Sequence, residues 1–458
     1  MHKIPVITIF DVGKTNKKLL LFDEQYRLVL EISKQFDEVI DDDGFRGEDV
    51  MALTRWLRNS FSDLLKNERF EIKALNFSGY GASFVYLDDR EEVFLPLYNY
   101  LKPFAPELQK QFYDKYGGER IFARQTASPV LGNLNSGMQL YRLKFEKPAS
   151  FEKIKYALHL PQYLSFIFSS KLASDITSIG CHTNLWNFEE YQYHSWVAQE
   201  GILSKLAPIL SCDTIAGLAG GNIPVGIGLH DSSAALIPYL NAVQEPFILL
   251  STGTWCISLN PFNQSPLTDD ELQLDCLCYL SFQGKPVKSS RLFAGNEHEE
   301  QTKKLSLHFN KPLDFFTTIS CDTGLLGKIR KNNRQGKNNP TDSLLHQSAF
   351  AERRLEEFAD YEEAYHQLMT DIIAQQLQST RLVLDGTEVK RIFVDGGFSK
   401  NAIYMYLLAE AFPGLEVYAA SVAQASALGA AMAIHKHWNE RPLPPDIIEL
   451  KLYAVSRE

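Results

Sequence analysis

Two strand–turn–strand segments, separated by most of the chain, constrain what this polypeptide can fold into. The apolar run 7–10 enters Asp11-Val12-Gly13-Lys14-Thr15-Asn16-Lys17-Lys18 and resumes at 19–22. Past the middle, the run 247–250 enters Ser251-Thr252-Gly253-Thr254-Trp255 and resumes at 256–259. Each sets a glycine turn, crowded by hydroxyl or amine side chains, between two apolar strands. Such a turn offers backbone N–H groups and side-chain donors to an anion. Two of them predict two related halves with a phosphate held between them.

A chain of 458 residues exceeds one ordinary core, so two or three domains are expected. The formal charge of -10 gives no electrostatic support to a nucleic-acid partner or to a membrane-binding basic helix, and neither is expected. The N-terminal apolar run breaks at Asp11, too early for a secretory signal. No stretch reaches the roughly 18 apolar residues of a membrane span. The cytoplasm is the expected location. Six cysteines (Cys181, Cys212, Cys256, Cys276, Cys278 and Cys321) are too sparse and irregular for a disulfide scaffold. Cys276 and Cys278 lack the second pair that a zinc site needs, so reduced, structural thiols are expected.

Residues 6–10, 19–22 and 26–32 read as successive strands. Residues 51–65 read as a helix with Leu53, Trp56, Leu57, Phe61, Leu64 and Leu65 on one face. A strand over 72–77 ends at Ser78-Gly79-Tyr80-Gly81, and 84–87 with 93–97 suggest a hairpin around Asp88-Asp89-Arg90. A second half begins near Ile223-Pro224, with a strand over 224–229 entering His230-Asp231. The polar stretch 328–339 reads as a surface loop. Tyr365, Leu368, Met369, Ile372, Ile373 and Leu377 mark a long amphipathic helix. A strand over 391–394 enters Asp395-Gly396-Gly397, a small-residue helix covers 425–434, and the tail 442–453 is extended. The expected domains are 1–223 and 224–458, with a cleft between them as the favoured ligand site.

Gly13-Lys14-Thr15 is not a P-loop, because Thr8 stands where the first glycine belongs and a strand follows instead of a helix. On a hairpin, Thr15, Asn16 and Lys18 can donate to phosphate, and Asp11 at the strand end can hold Mg²⁺ through water. The plain alternative is an ordinary hairpin with a solvated lysine cluster. Thr252 and Thr254 flank Gly253 and suit phosphate contact; the alternative is a simple turn. Gly396-Gly397 allow a close backbone approach at a helix start that favours an anion, and Asn401 can bond a base. The alternative there is a tight strand-to-helix turn. Asp231 can take a proton from a hydroxyl or cap a following helix, and spacing leaves both open.

In this order the segments resemble the FGGY carbohydrate kinases over nearly the whole chain. Residues 11–18 are similar to that family's first phosphate segment, 251–255 to its second, and 394–401 to its adenosine segment. Residues 424–431 resemble its closing helix, and Gly228-Leu229-His230-Asp231 the segment bearing its catalytic Asp. The His-Asp pair, the Gly-Thr-Trp turn, Gly79-Tyr80-Gly81 and segments 84–88, 135–140 and 160–164 resemble the L-rhamnulose and L-fuculose kinases within it. There are departures. Ser83 stands where those kinases usually place an acid, and Tyr98-Asn99-Tyr100 replaces an aromatic-Asp-Arg stretch. Lys14 replaces a small residue, Gln424 a common Glu, and Asn296-Glu297-His298 an apolar context after Gly295.

The resemblance implies an α/β fold of two duplicated ribonuclease H-like, actin-like ATPase domains. It implies a phosphotransferase that uses ATP and Mg²⁺ and closes its two halves to exclude water. Asp231 is implied as the base and Asp11 as the Mg²⁺ anchor. Lys14, Thr15, Asn16, Lys18, Thr252, Gly253, Thr254, Gly295, Gly396, Gly397 and Asn401 are implied at ATP. Tyr80, Gly81, Asn135, His230 and Asp231 are implied at the sugar. The implied acceptor is a ketose such as L-rhamnulose or L-fuculose; a pentulose, a polyol, or a non-catalytic sugar sensor of the same fold are the alternatives. A monomer or homodimer is expected.

Overall fold

The computed structural model describes residues 3–335, 348–422 and 424–454. Strands β1 (Ile4–Val12), β2 (Lys17–Asp23) and β3 (Leu28–Lys34) form an antiparallel meander. After helix α1 (Val50–Leu65), β4 (Phe70–Gly79) returns parallel to β1. Helix α2 (Leu160–Ser169) packs on the same sheet face as α1. Strands β5 (Ile215–Ala219), β6 (Ile223–Gly226) and β7 (Leu229–His230) complete seven strands, with β6 and β7 both parallel to β4.

After helix α3 (Asp231–Ala242) the pattern repeats. Strands β8 (Phe247–Thr252), β9 (Cys256–Asn260), β10 (Cys276–Leu280) and β11 (Pro286–Leu292) make the antiparallel part of a second seven-stranded sheet. Helices α4 (Ala294–His308), α5 (Thr323–Gln335) and α6 (Tyr361–Leu384) follow. Then β12 (Arg391–Gly396) returns parallel to β8, helix α7 (Ala402–Ala411) leads to the parallel strand β13 (Glu416–Ser421), helix α8 (Ala425–Ala433) follows, and β14 (Glu449–Tyr453) closes the edge. In both sheets an antiparallel meander gives way to a parallel strand beside its first member, at β1–β4 and at β8–β12. The Gly13 turn between β1 and β2 therefore matches the Gly253 turn between β8 and β9. The expected duplicated α/β architecture is present.

Alternation along the strands builds the core. Ile7 and Ile9 of β1, with Phe247 and Leu249 of β8, face a layer between the sheets. Phe10 and Val12 face α1 and α2, while Ile248 and Leu250 face α6 and α7. The middle layer is filled by α3 and α8, whose Leu236, Ile237, Leu428 and Ala431 are all buried there. These helices cross so closely that a Cβ on Gly429 would lie 1.8 Å from the carbonyl oxygen of Ala234.

Three expectations change. The division at 223/224 cuts the first sheet, because β6 and β7 pair with β4; the strand entering His230-Asp231 is the last of the first half, not the first of the second. Strand Phe84–Leu87 pairs with Tyr156–His159, and Val93 keeps only a single bridge to Leu87. The fully buried strand takes the more buried partner. The polar stretch at 328–335 is helical, within α5, because Leu326 and Ile329 give it a buried face; 336–339 lie outside the described residues. The six cysteines are free thiols. Among the described residues no helix is long and apolar enough to cross a membrane.

Candidate active site

Strand register gathers the two carboxylates of the candidate site. Asp11 of β1 lies opposite Ser78 of β4, and Ser78 lies opposite Leu229 of β7. Three neighbouring strands thus bring Asp11 and the residues just before Asp231 to one edge, the carboxyl end where open α/β sheets bind ligands. Ser426 of α8 donates to Asp11 Oδ2 at 2.9 Å, so the second half also contributes. Enclosure, followed by the charge of Asp231, pushes the Asp11 carboxyl up to about 6. Enclosure pushes Asp231 up to about 6 as well, against the Ser232 amide that donates to its Oδ1 at 2.6 Å. The Asp231 side chain remains 32% exposed, which leaves it open to a substrate. His230, not Asp231, occupies the N-cap of α3, so the capping alternative falls.

His230 is buried and held neutral, its imidazole pushed down to about 4 by burial. Its Nε2 lies 3.3 Å from Asp231 Oδ1 and 3.2 Å from Cys181 Sγ. Gly81 backs closely onto this ring: a Cβ there would lie 3.0 Å from Nε2.

The first hairpin splits its side chains between two directions. Thr15 and Asn16 stand exposed on the turn, and Asn16 Oδ1 accepts from Gln35. Lys18 donates to Gln424 Oε1 at 2.9 Å and pairs with Glu31 at 3.2 Å, tying the hairpin to the start of α8. Lys14 turns away from the place expected for a phosphate ligand. Its Nζ lies 5.5 Å from the ring centroids of both Tyr80 and Tyr100, and 3.4 Å from Glu48. Two aromatic faces and a carboxylate outcompete the open turn for this cation.

On the second hairpin Thr254 is exposed, whereas Thr252 is not a free donor. Its hydroxyl donates to the Asp395 carbonyl at 2.6 Å and accepts from the Phe398 amide at 3.0 Å. Gly396 adopts φ +91°, and a Cβ there would sit 1.9 Å from the Thr252 carbonyl, so the glycine locks β12 against the hairpin. Gly295 packs its backbone on that of Gly253. Asn401 is the N-cap of α7 and not a residue within it: its Oδ1 accepts from the amides of Ile403 and Tyr404, and its Nδ2 donates to Tyr365 at 2.7 Å. Asn135, expected at the sugar, is fully buried and bonded to Leu131, Ser128 and His182, which leaves it structural. Buried amides bond internally unless a ligand is built in for them.

Thr252, Gly253, Gly295, Gly397 and Asn401 line one cavity of about 640 Å³ in the second half. Sequence reasoning missed its apolar wall. Phe316 and Ile319 line it, and His298 packs edge-on to Phe316 and Phe398 at 4.9 and 5.3 Å. The polar run at Asn296-Glu297-His298 was the one signal there, and 315–321 has no periodicity to betray it.

The sequence matches the FGGY family of carbohydrate kinases, N-terminal domain, over residues 6–238, and C-terminal domain descriptions of the same kinases over 244–320 and 354–435. It is 21% identical over 258 residues to a rhamnulokinase of Halalkalibacterium halodurans, and 25% identical over 269 residues to a probable L-xylulose kinase of Pasteurella multocida. Each alignment covers 54% of this chain and 54% of the relative, so the chain spans about half the length of the curated relatives it matches. Its fold is similar to the crystal structure of a carbohydrate kinase from Novosphingobium aromaticivorans (TM-score 0.80, 23% identity, 99% of this chain and 95% of that one). It is also similar to a xylulose kinase from Lactobacillus acidophilus (TM-score 0.76, 17% identity, 99% and 94%). With the N-terminal match alone spanning half of the sequence, the chain belongs to the FGGY family of carbohydrate kinases.

Proposed function

We propose that this protein is an ATP-dependent kinase of a ketose, with a deoxyhexulose such as L-rhamnulose or L-fuculose as acceptor, working in the cytoplasm. The observation that carries the reading is Asp231: a carboxylate at a strand end in the cleft, open to substrate, with its carboxyl pushed up to about 6. It is still ionised at neutral pH yet more basic than an ordinary carboxylate, which suits a general base. Asp231 takes the proton of the acceptor hydroxyl, whose oxygen forms the new bond to the γ-phosphorus. The bond to the bridging oxygen breaks, and ADP leaves with that electron pair. His230, neutral and wedged between Cys181 and Asp231, orients the carboxylate.

The chain's own groups fit a nucleotide and a divalent ion. Asp11 and Asp231 form a crowded carboxylate pair that a dication would neutralise, and Mg²⁺ needs only one or two protein carboxylates beside its waters. Mg²⁺, when bound, screens the charge of the phosphates. Asp11 would hold it, Thr15 and Thr254 would present donors from the two turns, and the cavity under Gly397 and Phe316 would take the adenosine.

The resemblance to a probable L-xylulose kinase supports a pentulose as the second reading. ADP release measured across a panel of ketoses and polyols, with a no-sugar control and the product's phosphate located by NMR, separates the readings. Release that ignores every sugar overturns the proposal.

A further inference from the structure

Buried polar atoms without partners are rare in a folded protein, and each asks for an explanation. Here several gather in one place. Lys14 Nζ and both carboxylate oxygens of Glu48 are shielded from solvent, and they face each other as an ion pair at 3.4 Å that is not a well-formed hydrogen bond. The shielded hydroxyls of Tyr80 and Ser83 complete the cluster, with Tyr80 set beside both Ser83 and the Glu48 carboxylate. Glu48 reaches this spot because its short strand Arg46–Glu48 bridges Leu97, just ahead of Tyr100. Lys17 holds the cluster from behind, donating to the Lys14 carbonyl at 2.8 Å and pairing with Glu48 at 3.2 Å. Tyr100 packs edge-on to Tyr80 at 6.1 Å, and its phenol is pushed up by burial and then by the charges of Asp231 and Glu48.

We propose that Lys14 and Glu48 form the pair that recognises the acceptor, binding neighbouring hydroxyls of a neutral polyhydroxylated chain, and that Lys14 takes no part in holding the nucleotide. A hydroxyl can donate to Glu48 and accept from Lys14 together. Charge-assisted hydrogen bonds of this kind are about twice as strong as neutral ones. The rings of Tyr80 and Tyr100 lie under the Lys14 ammonium and hold it in place toward Glu48. Ser83 is too short to offer the charge that Glu48 brings from a separate strand.

The inference rests on the ketose-kinase reading, and the experiment keeps the two apart. Lys14→Met and Glu48→Gln preserve size while removing charge. The KM for the acceptor is expected to rise at least about tenfold in each, roughly 1.4 kcal/mol, with the KM for ATP unchanged within about twofold. The stabilisation that the acceptor alone gives in a melting experiment, without nucleotide, is expected to vanish in both variants. A rise in the KM for ATP with an unchanged acceptor KM in Lys14→Met would make Lys14 a phosphate ligand and overturn the proposal. Unchanged constants in both variants overturn it too, leaving the pair structural. If the wild type releases ADP without regard to sugar, the kinase reading fails and the melting arm decides alone. Sugar stabilisation lost in the variants then upholds the pair, and none in the wild type overturns it.

Discussion

Ser426 donates to Asp11 across the interface between the two sheets, so a helix of the second half fixes the carboxylate at the end of the first strand of the first. That hydrogen bond holds the Asp11 carboxyl lower than burial alone would set it. In Ser426→Ala the carboxyl rises further, and Asp11 is ionised in a smaller fraction of molecules at neutral pH. Roughly tenfold more Mg²⁺ is expected for half-maximal rate, as befits a lost hydrogen bond to a charged group. A Mg²⁺ titration at pH 7 and at pH 8.5 checks it, and the deficit should shrink at the higher pH.

Asp231→Asn keeps the shape of the site and removes the proposed base. It is expected to fold and to bind ATP, with turnover reduced roughly a hundredfold or more. Steady-state rates beside an ATP titration by calorimetry test this; near-normal turnover removes Asp231 from the role.

The raised carboxyl also sets a pH dependence of opposite sign for rate and for stability. The rate should fall as pH drops through about 6, where Asp231 takes up its proton. For stability, the folded value of about 6 exceeds the ordinary 3.8, so the native state binds this proton more tightly than the unfolded one. The group therefore costs stability above pH 6, and the cost fades as pH falls from 6 towards 3.8. Asp231→Asn should melt above the wild type at pH 8, with the difference mostly lost by pH 4 and gone below it. Melting curves of both proteins across that range decide it; a gap as large at pH 4 as at pH 8 contradicts the assignment.

The apolar wall of the cavity gives a separable effect. Phe316→Ala removes a half-buried ring from the cavity proposed for the nucleotide. About a fivefold rise in the KM for ATP is expected from the lost apolar contact, with the acceptor KM unchanged. Equal rises in both constants would indicate a general disturbance instead.

The two hairpins were readable because alternation and a glycine turn are local signals, and Asp11 and Asp231 were readable as carboxylates at strand ends. What escaped depends on partners far away in sequence. Lys14 points to Tyr80, Tyr100 and Glu48, and nothing in its own hairpin states that those three converge. Asn135 and Asn401 carry the right chemistry for ligands, yet their amides are consumed by the backbone and hydroxyl groups around them. The boundary at 223/224 failed for the same reason, since membership of β6 and β7 in the first sheet is decided by β4, far upstream.

The crossing of α3 and α8 makes the strongest demand on a single residue. Each helix starts at the site, α3 with Asp231 and α8 one residue before Ser426. A Cβ on Gly429 would lie 1.8 Å from the Ala234 carbonyl oxygen, which is backbone and cannot swing aside. The helices must part, and that also strains the bond from Asn76 Nδ2 to the Ala430 carbonyl at 2.7 Å and the contact of Ser426 with Asp11. Gly429→Ala is expected to cost about 1–3 kcal/mol or more by overpacking, and to lower turnover with it. Gly327→Ala is the control: it too lies in a helix, α5, but its added Cβ meets nothing within 4 Å, so it should be neutral or slightly stabilising. Urea unfolding of both variants, with rates measured in parallel, distinguishes a crossing that holds the site together from a glycine that is merely tolerated.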